Sequence, residues 1–382
     1  MLRITHGEES SLTSWFFQID RRLLKLVLIL MGIGILASFS AGAANAAKLG
    51  HPWYFFGLKT FVFYTVGIVA LVAFSILNKK QIIKLSVIGL IVGIVGLLIT
   101  RFYSVDINSS SRWLVIGGFK LFMPAEILKP SFIILTAWFL EKMHSVYGDN
   151  IFSRDAFGFK TVSWWPYILL FVTCVAIIFS HPDFGMSLLY LGVLAVMLLI
   201  AKIPLKMFFP VIGVGVIILS AIAMKTMGHV QGRSGQIFYL EPRSQVWFSV
   251  NAIKHGGLFG SGEKAFIKDK IAESANDFVY ASFAEDFGAI AACALIVILF
   301  LVLNNLIKHA FMAKDEFVVY VLAGTAALFG GQVCFNLMTS LHLVISKGMT
   351  LPFVSYGGWS VIVLCVLFGM VLGLIREDTW NR

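Results

Sequence analysis

Charge is what this sequence has least of. Only 13% of its 382 residues are Asp, Glu, Lys or Arg, while 59% are hydrophobic and mean hydropathy is +0.89. A soluble domain has too little interior for that much apolar surface, 35 Phe included, so a soluble enzyme or binding module is excluded. Cysteine is almost as sparse. Cys174, Cys293, Cys334 and Cys365 all fall inside long apolar runs and no two have metal-ligand spacing. A disulfide framework is therefore excluded, and the four read as small apolar packing residues. The net charge of +10 is spread over short turns and forms no single patch, so nucleic-acid binding is excluded too. There is no internal repeat: the large polar stretches at 101–122 and 226–277 differ in length and residues. That absence counts against the paired halves of a transporter. The Gly260-Ser261-Gly262 turn precedes no Rossmann-like unit, so it is no dinucleotide fingerprint.

What the chain does have is apolar runs of membrane-spanning length. About ten are present, at 23–46, 54–77, 82–100, 124–141, 165–181, 184–201, 205–225, 278–304, 317–341 and 356–375. The fold class expected is all-α, a polytopic integral membrane protein. The first run is too long for a cleavable signal core, and a polar tail with Glu8 and Glu9 precedes it, so it reads as a retained span. Lys and Arg placement then sets orientation. With residues 1–22 cytoplasmic, the basic turns at 79–84, 142–160, 202–206 and 308–314 and the tail 377–382 also fall inside. Residues 23–376 form one membrane domain whose large outer loop is 226–277, and both termini are cytoplasmic.

Four polar stretches fall on the outer side: 101–122, 181–185, 226–277 and 342–358. The longest holds Arg233, Arg243, Lys254, Lys264, Lys268 and Lys270, nearly cancelled by acids. It reads either as a solvated loop or as a surface for an anionic substrate. Within it, "RSQVWFSVNAIKHGG" has the pattern of a short interfacial helix stopped by Gly256-Gly257.

Ionisable residues at membrane depth cost a few kcal/mol on insertion scales, so each is a functional candidate. Glu126 and Lys129, three apart, share a helix face and can pair. Asp183 follows Pro182 at a tight turn, where it either caps a helix or serves a site. Glu285 and Asp286 are expected to pair with a basic group on another helix. Asp277 sits where the long outer loop re-enters the membrane at a helix start. There the helix dipole and nearby cations favour the carboxylate, which suits a general base acting on a hydroxyl. "KGMTLPFVSYGG" opens on Lys347 and contains Pro352 and Gly357-Gly358. Backbone of that composition breaks a helix and allows close approach, so 347–358 is expected to form a re-entrant wall of an outer cavity.

These segments carry a resemblance. "SRWLVIGGFKLFMPAEILKPSF", "HPDFGMSLL", "SVNAIKHGGLFGSG", "ESANDFVYASFAEDFG" and "KGMTLPFVSYGG" lie in order across residues 101–360. Together they resemble the SEDS family (shape, elongation, division and sporulation), its division branch more than its elongation branch. The resemblance implies polymerisation of lipid II, an undecaprenyl-pyrophosphate-linked disaccharide peptide, into peptidoglycan glycan strands. It implies a class B penicillin-binding transpeptidase and other divisome proteins as partners, at the septum, in the bacterial inner membrane. It makes Asp277 the catalytic residue. Lys129, Glu126, Arg112, Trp113, Lys347, Ser355 and Asp183 become substrate-binding residues, Lys129 and Arg112 holding phosphate and Glu126 holding Lys129. It implies no cofactor, although a divalent cation such as Mg or Mn is compatible with the same role. Two other readings share it: a lipid II flippase and a non-catalytic scaffold that activates the transpeptidase. The chain departs from the family pattern at Met123, Ala125, His181, Ala275, Asn276 and Trp359, and only Glu273 matches the acid usual before the Asp. These departures bear on acceptor positioning.

Overall fold

The computed structural model describes residues 15, 17–103, 114–116, 119–158, 162–181, 183–226, 240–344 and 348–380. The architecture is all-α apart from one small hairpin. Three helices come first: α1 (Arg21–Lys48), α2 (Phe55–Ser75) and α3 (Lys79–Tyr103). Then β1 (Leu114–Ile116) pairs antiparallel with β2 (Phe119–Phe122) before the next helix, Ile116 opposite Phe119. After it come α4 (Pro124–Tyr147), α5 (Trp164–Ser180), α6 (Phe184–Ile200), α7 (Leu205–Thr226) and the short α8 (Gln245–Gly256). The chain closes with α9 (Val279–Met312), α10 (Glu316–Ser340) and α11 (Trp359–Trp380).

Each of the ten expected runs coincides with one helix, and α8 is a short helix where one was expected within 226–277. By length and composition seven helices can cross a membrane: α1, α2, α3, α7, α9, α10 and α11. Of the other three, α5 and α6 are short, at 17 residues each, and α4 carries charge at both ends, Glu126 and Lys129 at one and Glu141 and Lys142 at the other.

Helix starts follow local chemistry. The Asp20 carboxylate accepts the Leu23 N–H at 2.6 Å and caps α1. Asp183 accepts the Met186 N–H at 3.1 Å and caps α6. Both satisfy an amide that the first turn leaves unbonded. Burial then sorts the helices. In α10 and α11, 67% and 72% of the apolar window is buried, against 6% in α7. The first two therefore form the centre of the bundle, while α7 lies at its edge and faces lipid. Lys79 at the start of α3 reaches Glu141 of α4 at 2.8 Å and Asp315, the cap of α10, at 2.6 Å, tying three helices together.

One expected run is not a continuous helix. α9 breaks at Gly288, where φ is 83° and ψ 175°. Amides and carbonyls freed by such a break at membrane depth need partners from the protein. The outer loop supplies them: Ala289 N–H donates to Gly257 O at 2.9 Å, Ile290 N–H to Leu258 O at 3.3 Å, and Ser261 N–H to Glu285 O at 2.8 Å. A Cβ on residue 288 would collide with the Gly260 and Leu258 backbone. Glycine is needed there for conformation and for space alike.

The acids beside the break are paired, as expected, with basic groups outside α9: Glu285 with His255 of α8, and Asp286 with Lys268 of the 240–277 segment. Glu285 is fully buried and accepts the N–H groups of Phe266 (3.1 Å), Ile267 (2.9 Å) and Lys268 (2.7 Å), with His255 Nδ1 at 2.8 Å. Asp286 forms a buried ion pair with Lys268, and Ser40 of α1 bonds to both side chains, at 2.7 and 2.6 Å. Lys268 is thereby removed from the loop's solvent surface. Residues 255–268 of the long loop are locked onto α9 and α1.

Candidate active site

Three segments meet at one cavity. The first is the start of α4, where Pro124 occupies the first helical position and needs no hydrogen bond. One turn on, Glu126 and Lys129 pair at 2.6 Å as their spacing predicts, 5% and 4% exposed. Pro130 follows inside the helix and cannot donate to the Glu126 carbonyl. A buried pair of this kind is held only by mutual attraction and further hydrogen bonds, because each charge alone would be costly to desolvate.

The second segment is 273–278. Asn276 donates to the Glu273 carboxylate at 2.6 Å, and Phe278 N–H to Glu273 O at 3.2 Å. The resulting turn delivers Asp277 two residues before α9 begins. The third segment is 348–358, which is non-helical as expected. A Cβ on Gly348 would lie 2.9 Å from an Asp277 carboxylate oxygen, so this backbone passes directly against the acid.

Hydrogen bonds weld the second segment to the third. The Asn336 amide of α10 donates to Asp277 O and Met349 O, both at 2.8 Å. Ser355 Oγ donates to Asn276 O at 2.6 Å and accepts Leu351 N–H at 2.8 Å. Tyr356 N–H donates to Ala275 O at 2.9 Å. From the far side Tyr64 of α2 donates to Phe353 O at 2.9 Å. The position of Asp277 is thus fixed by backbone ties on both sides of it.

A cavity of about 570 Å³ lies between these segments, lined by Lys59, Glu126, Lys129, Asp183, Glu273 and Asp277 among others. Four of the residues expected at a site, Asp277, Glu126, Lys129 and Asp183, are therefore on one wall system. Ser355 is elsewhere. It is fully buried, its hydroxyl is used by backbone groups, and it positions the segment instead of lining the cavity. Arg112, Trp113 and Lys347 lie outside the described residues. Among the described residues no three His, Cys, Asp or Glu side chains gather as a metal-binding group.

Sequence reasoning passed over Lys59, Gln332 and Asn336. Gln332 lines the cavity and Asn336 holds its wall. The signal was present: two amides four residues apart on an otherwise apolar helix share one face. Asn336→Leu is expected to strand two buried carbonyls at a cost of about 1–3 kcal/mol each, read as a lower thermal midpoint in detergent. An unchanged midpoint would remove Asn336 from this role.

A family model described as cell cycle protein, covering FtsW, RodA and SpoVE, matches residues 21–379. The chain is similar to the probable peptidoglycan glycosyltransferase FtsW of Caulobacter vibrioides, 29% identical over 97% of this chain and 92% of that one. It is 26% identical to the protein of the same description from Thiomicrospira cyclica, over 94% and 92% of the two chains. Among solved structures it resembles a chain in work on structural coordination of polymerization and crosslinking by a peptidoglycan synthase complex. There the TM-score is 0.74 with 21% identity, over 95% of this chain and 99% of that one. The Thermus thermophilus rod shape determining protein RodA has the same fold, with a TM-score of 0.66, 21% identity and coverage of 94% and 97%.

Proposed function

The chain belongs to the FtsW, RodA and SpoVE family of cell cycle proteins, and from that membership we propose that it is a peptidoglycan glycosyltransferase that polymerises lipid II during bacterial cell division. Lipid II presents a diphosphate at the outer headgroup level. A sugar hydroxyl of a second chain must attack the anomeric carbon. Asp277 takes the proton of the acceptor 4-hydroxyl as the new C–O bond forms, and the anomeric bond to the diphosphate breaks with its electron pair leaving on the diphosphate oxygen. Lys129, held in place by Glu126, stabilises the charge that develops there. Arg112 and Lys347 are the further phosphate-holding groups. A class B penicillin-binding transpeptidase and other divisome proteins complete the assembly at the septum, with both termini in the cytoplasm.

The observation that carries this reading is that one cavity brings together a carboxylate at a helix start and a buried Lys–Glu pair. A non-catalytic scaffold has no need for those charges gathered in one cavity. The test supplies purified protein and a class B transpeptidase with labelled lipid II. Glycan strands are expected from wild type, and Lys129→Ala should turn over roughly 10²–10³ times more slowly, the loss typical of one electrostatic donor at developing charge. Wild-type turnover in that variant would take Lys129 out of the reaction.

A further inference from the structure

The cavity has a second cation that none of the preceding roles uses. Lys59 lies on α2, in a helix otherwise apolar for most of its 21 residues. Residues 56, 59 and 63 follow one another at i, i+3 and i+7, which puts them on one stripe, and all three line the cavity. Phe56 is packed edge-on against Tyr356 with ring centroids 5.2 Å apart, so this stripe faces the re-entrant segment. The next stripe around the helix is Leu58, Val62 and Val66, which are 54%, 54% and 49% exposed and face the bilayer. Lys59 therefore stands at the seam where the cavity opens sideways to lipid.

Among the described residues lining the cavity there are four acids, Glu126, Asp183, Glu273 and Asp277, and two ammonium groups, Lys59 and Lys129. Lys129 is taken up by Glu126. Among the described residues Lys59 makes no ion pair; its close neighbour is the Phe55 ring, 5.6 Å away. A ligand with an apolar chain in the bilayer and a phosphate at the cavity mouth would lay the chain along the Leu58 stripe and its phosphate on the Lys59 ammonium. We propose that Lys59 is a substrate-binding residue that holds the phosphate of a membrane-anchored polyprenyl diphosphate at the lateral opening of the cavity.

This inference rests on the glycosyltransferase reading for the identity of the diphosphate, and its test is separable from that reading. Full-length protein in phosphatidylcholine nanodiscs is titrated with polyprenyl diphosphate and, separately, with polyprenol, following tryptophan fluorescence; Trp359 lines the cavity. Loss of one charge-assisted contact predicts about tenfold weaker diphosphate binding in Lys59→Gln. Polyprenol binding should be unaltered, and Lys59→Arg should stay within about threefold of wild type because the charge remains. Repeating the titration in phosphatidylglycerol separates the two sources of lipid phosphate. A persisting difference between wild type and Lys59→Gln assigns the site to the diphosphate; its disappearance assigns Lys59 to bulk headgroups and overturns the proposal. Equal diphosphate affinity in wild type and Lys59→Gln overturns it as well, leaving Lys59 a residue that reaches for the interface. Should wild type bind the diphosphate through Lys59 yet form no glycan with any transpeptidase, the function proposed above fails while this binding role stands.

Discussion

Asp277→Asn, supplied with lipid II and its transpeptidase partner, is expected to form glycan at least 10²–10⁴ times more slowly than wild type, the span a positioned general base contributes. Asparagine keeps the size and one acceptor oxygen of the native side chain but cannot take a proton. The frame around it should survive, because Asn336 and Ser355 hold the backbone carbonyls of Asp277 and Asn276 and not the carboxylate. Turnover should therefore fall by far more than any change in the melting profile accounts for. Asp277→Glu keeps the base but lengthens it beside Gly348, where a Cβ would already lie 2.9 Å from the native carboxylate, so partial activity is expected. If Asp277→Asn polymerised lipid II at the native rate, the base would have to be another group, and Glu273 on the same cavity would be the next to test.

The parts of the site that stood out in the sequence are the charged ones. Glu126, Lys129, Asp183 and Asp277 are conspicuous because each interrupts or borders an apolar run, where a charge without a purpose is costly. The alternation of spans placed them all toward one end of the bundle, and the structure brings them to one cavity. What stayed hidden is uncharged and acts through backbone. Ser355 reads as a substrate contact because its hydroxyl lies in a distinctive motif, yet that hydroxyl bonds to the carbonyl of a residue 79 positions away. Asn336 likewise spans 59 positions to reach Asp277. No periodicity in the chain announces a side chain whose partner is a distant carbonyl.

The break in α9 was hidden for a related reason. Gly288 sits within an apolar run, where a single glycine is compatible with an unbroken helix. The break exists because the Gly257–Ser261 turn lies against it and supplies the missing hydrogen-bond partners. Sequence periodicity reports the helix, and only the packed loop reports its interruption. The same holds for Lys268, which reads as one of six scattered loop cations until its burial against Asp286 is seen.

That burial gives the second large effect. Asp286→Ala is expected to destabilise the protein by about 3–5 kcal/mol, the usual result of leaving one charge of a buried pair uncompensated. Lys268 is 6% exposed and Asp286 9%, so water does not replace the lost partner, and Ser40 alone cannot neutralise the ammonium. The expected readout is a thermal midpoint lower by roughly 10 °C in detergent. Replacing the whole cluster by Ser40→Ala, Lys268→Met and Asp286→Leu should recover most of that loss, since an apolar cluster of similar volume carries no desolvation cost. Turnover offers a separate readout. The nine residues from 279 to 287 form the half-helix that Asp277 introduces, and Glu285 and Asp286 are its ties to the outer loop and α1. With the pair broken, that half-helix can swing on Gly288, so polymerisation should fall further than the folded fraction accounts for. A single Asp286→Ala variant that melts and polymerises like wild type would show that Lys268 reaches water in the membrane-embedded protein, and the outer loop would then not be locked to α9 through this pair.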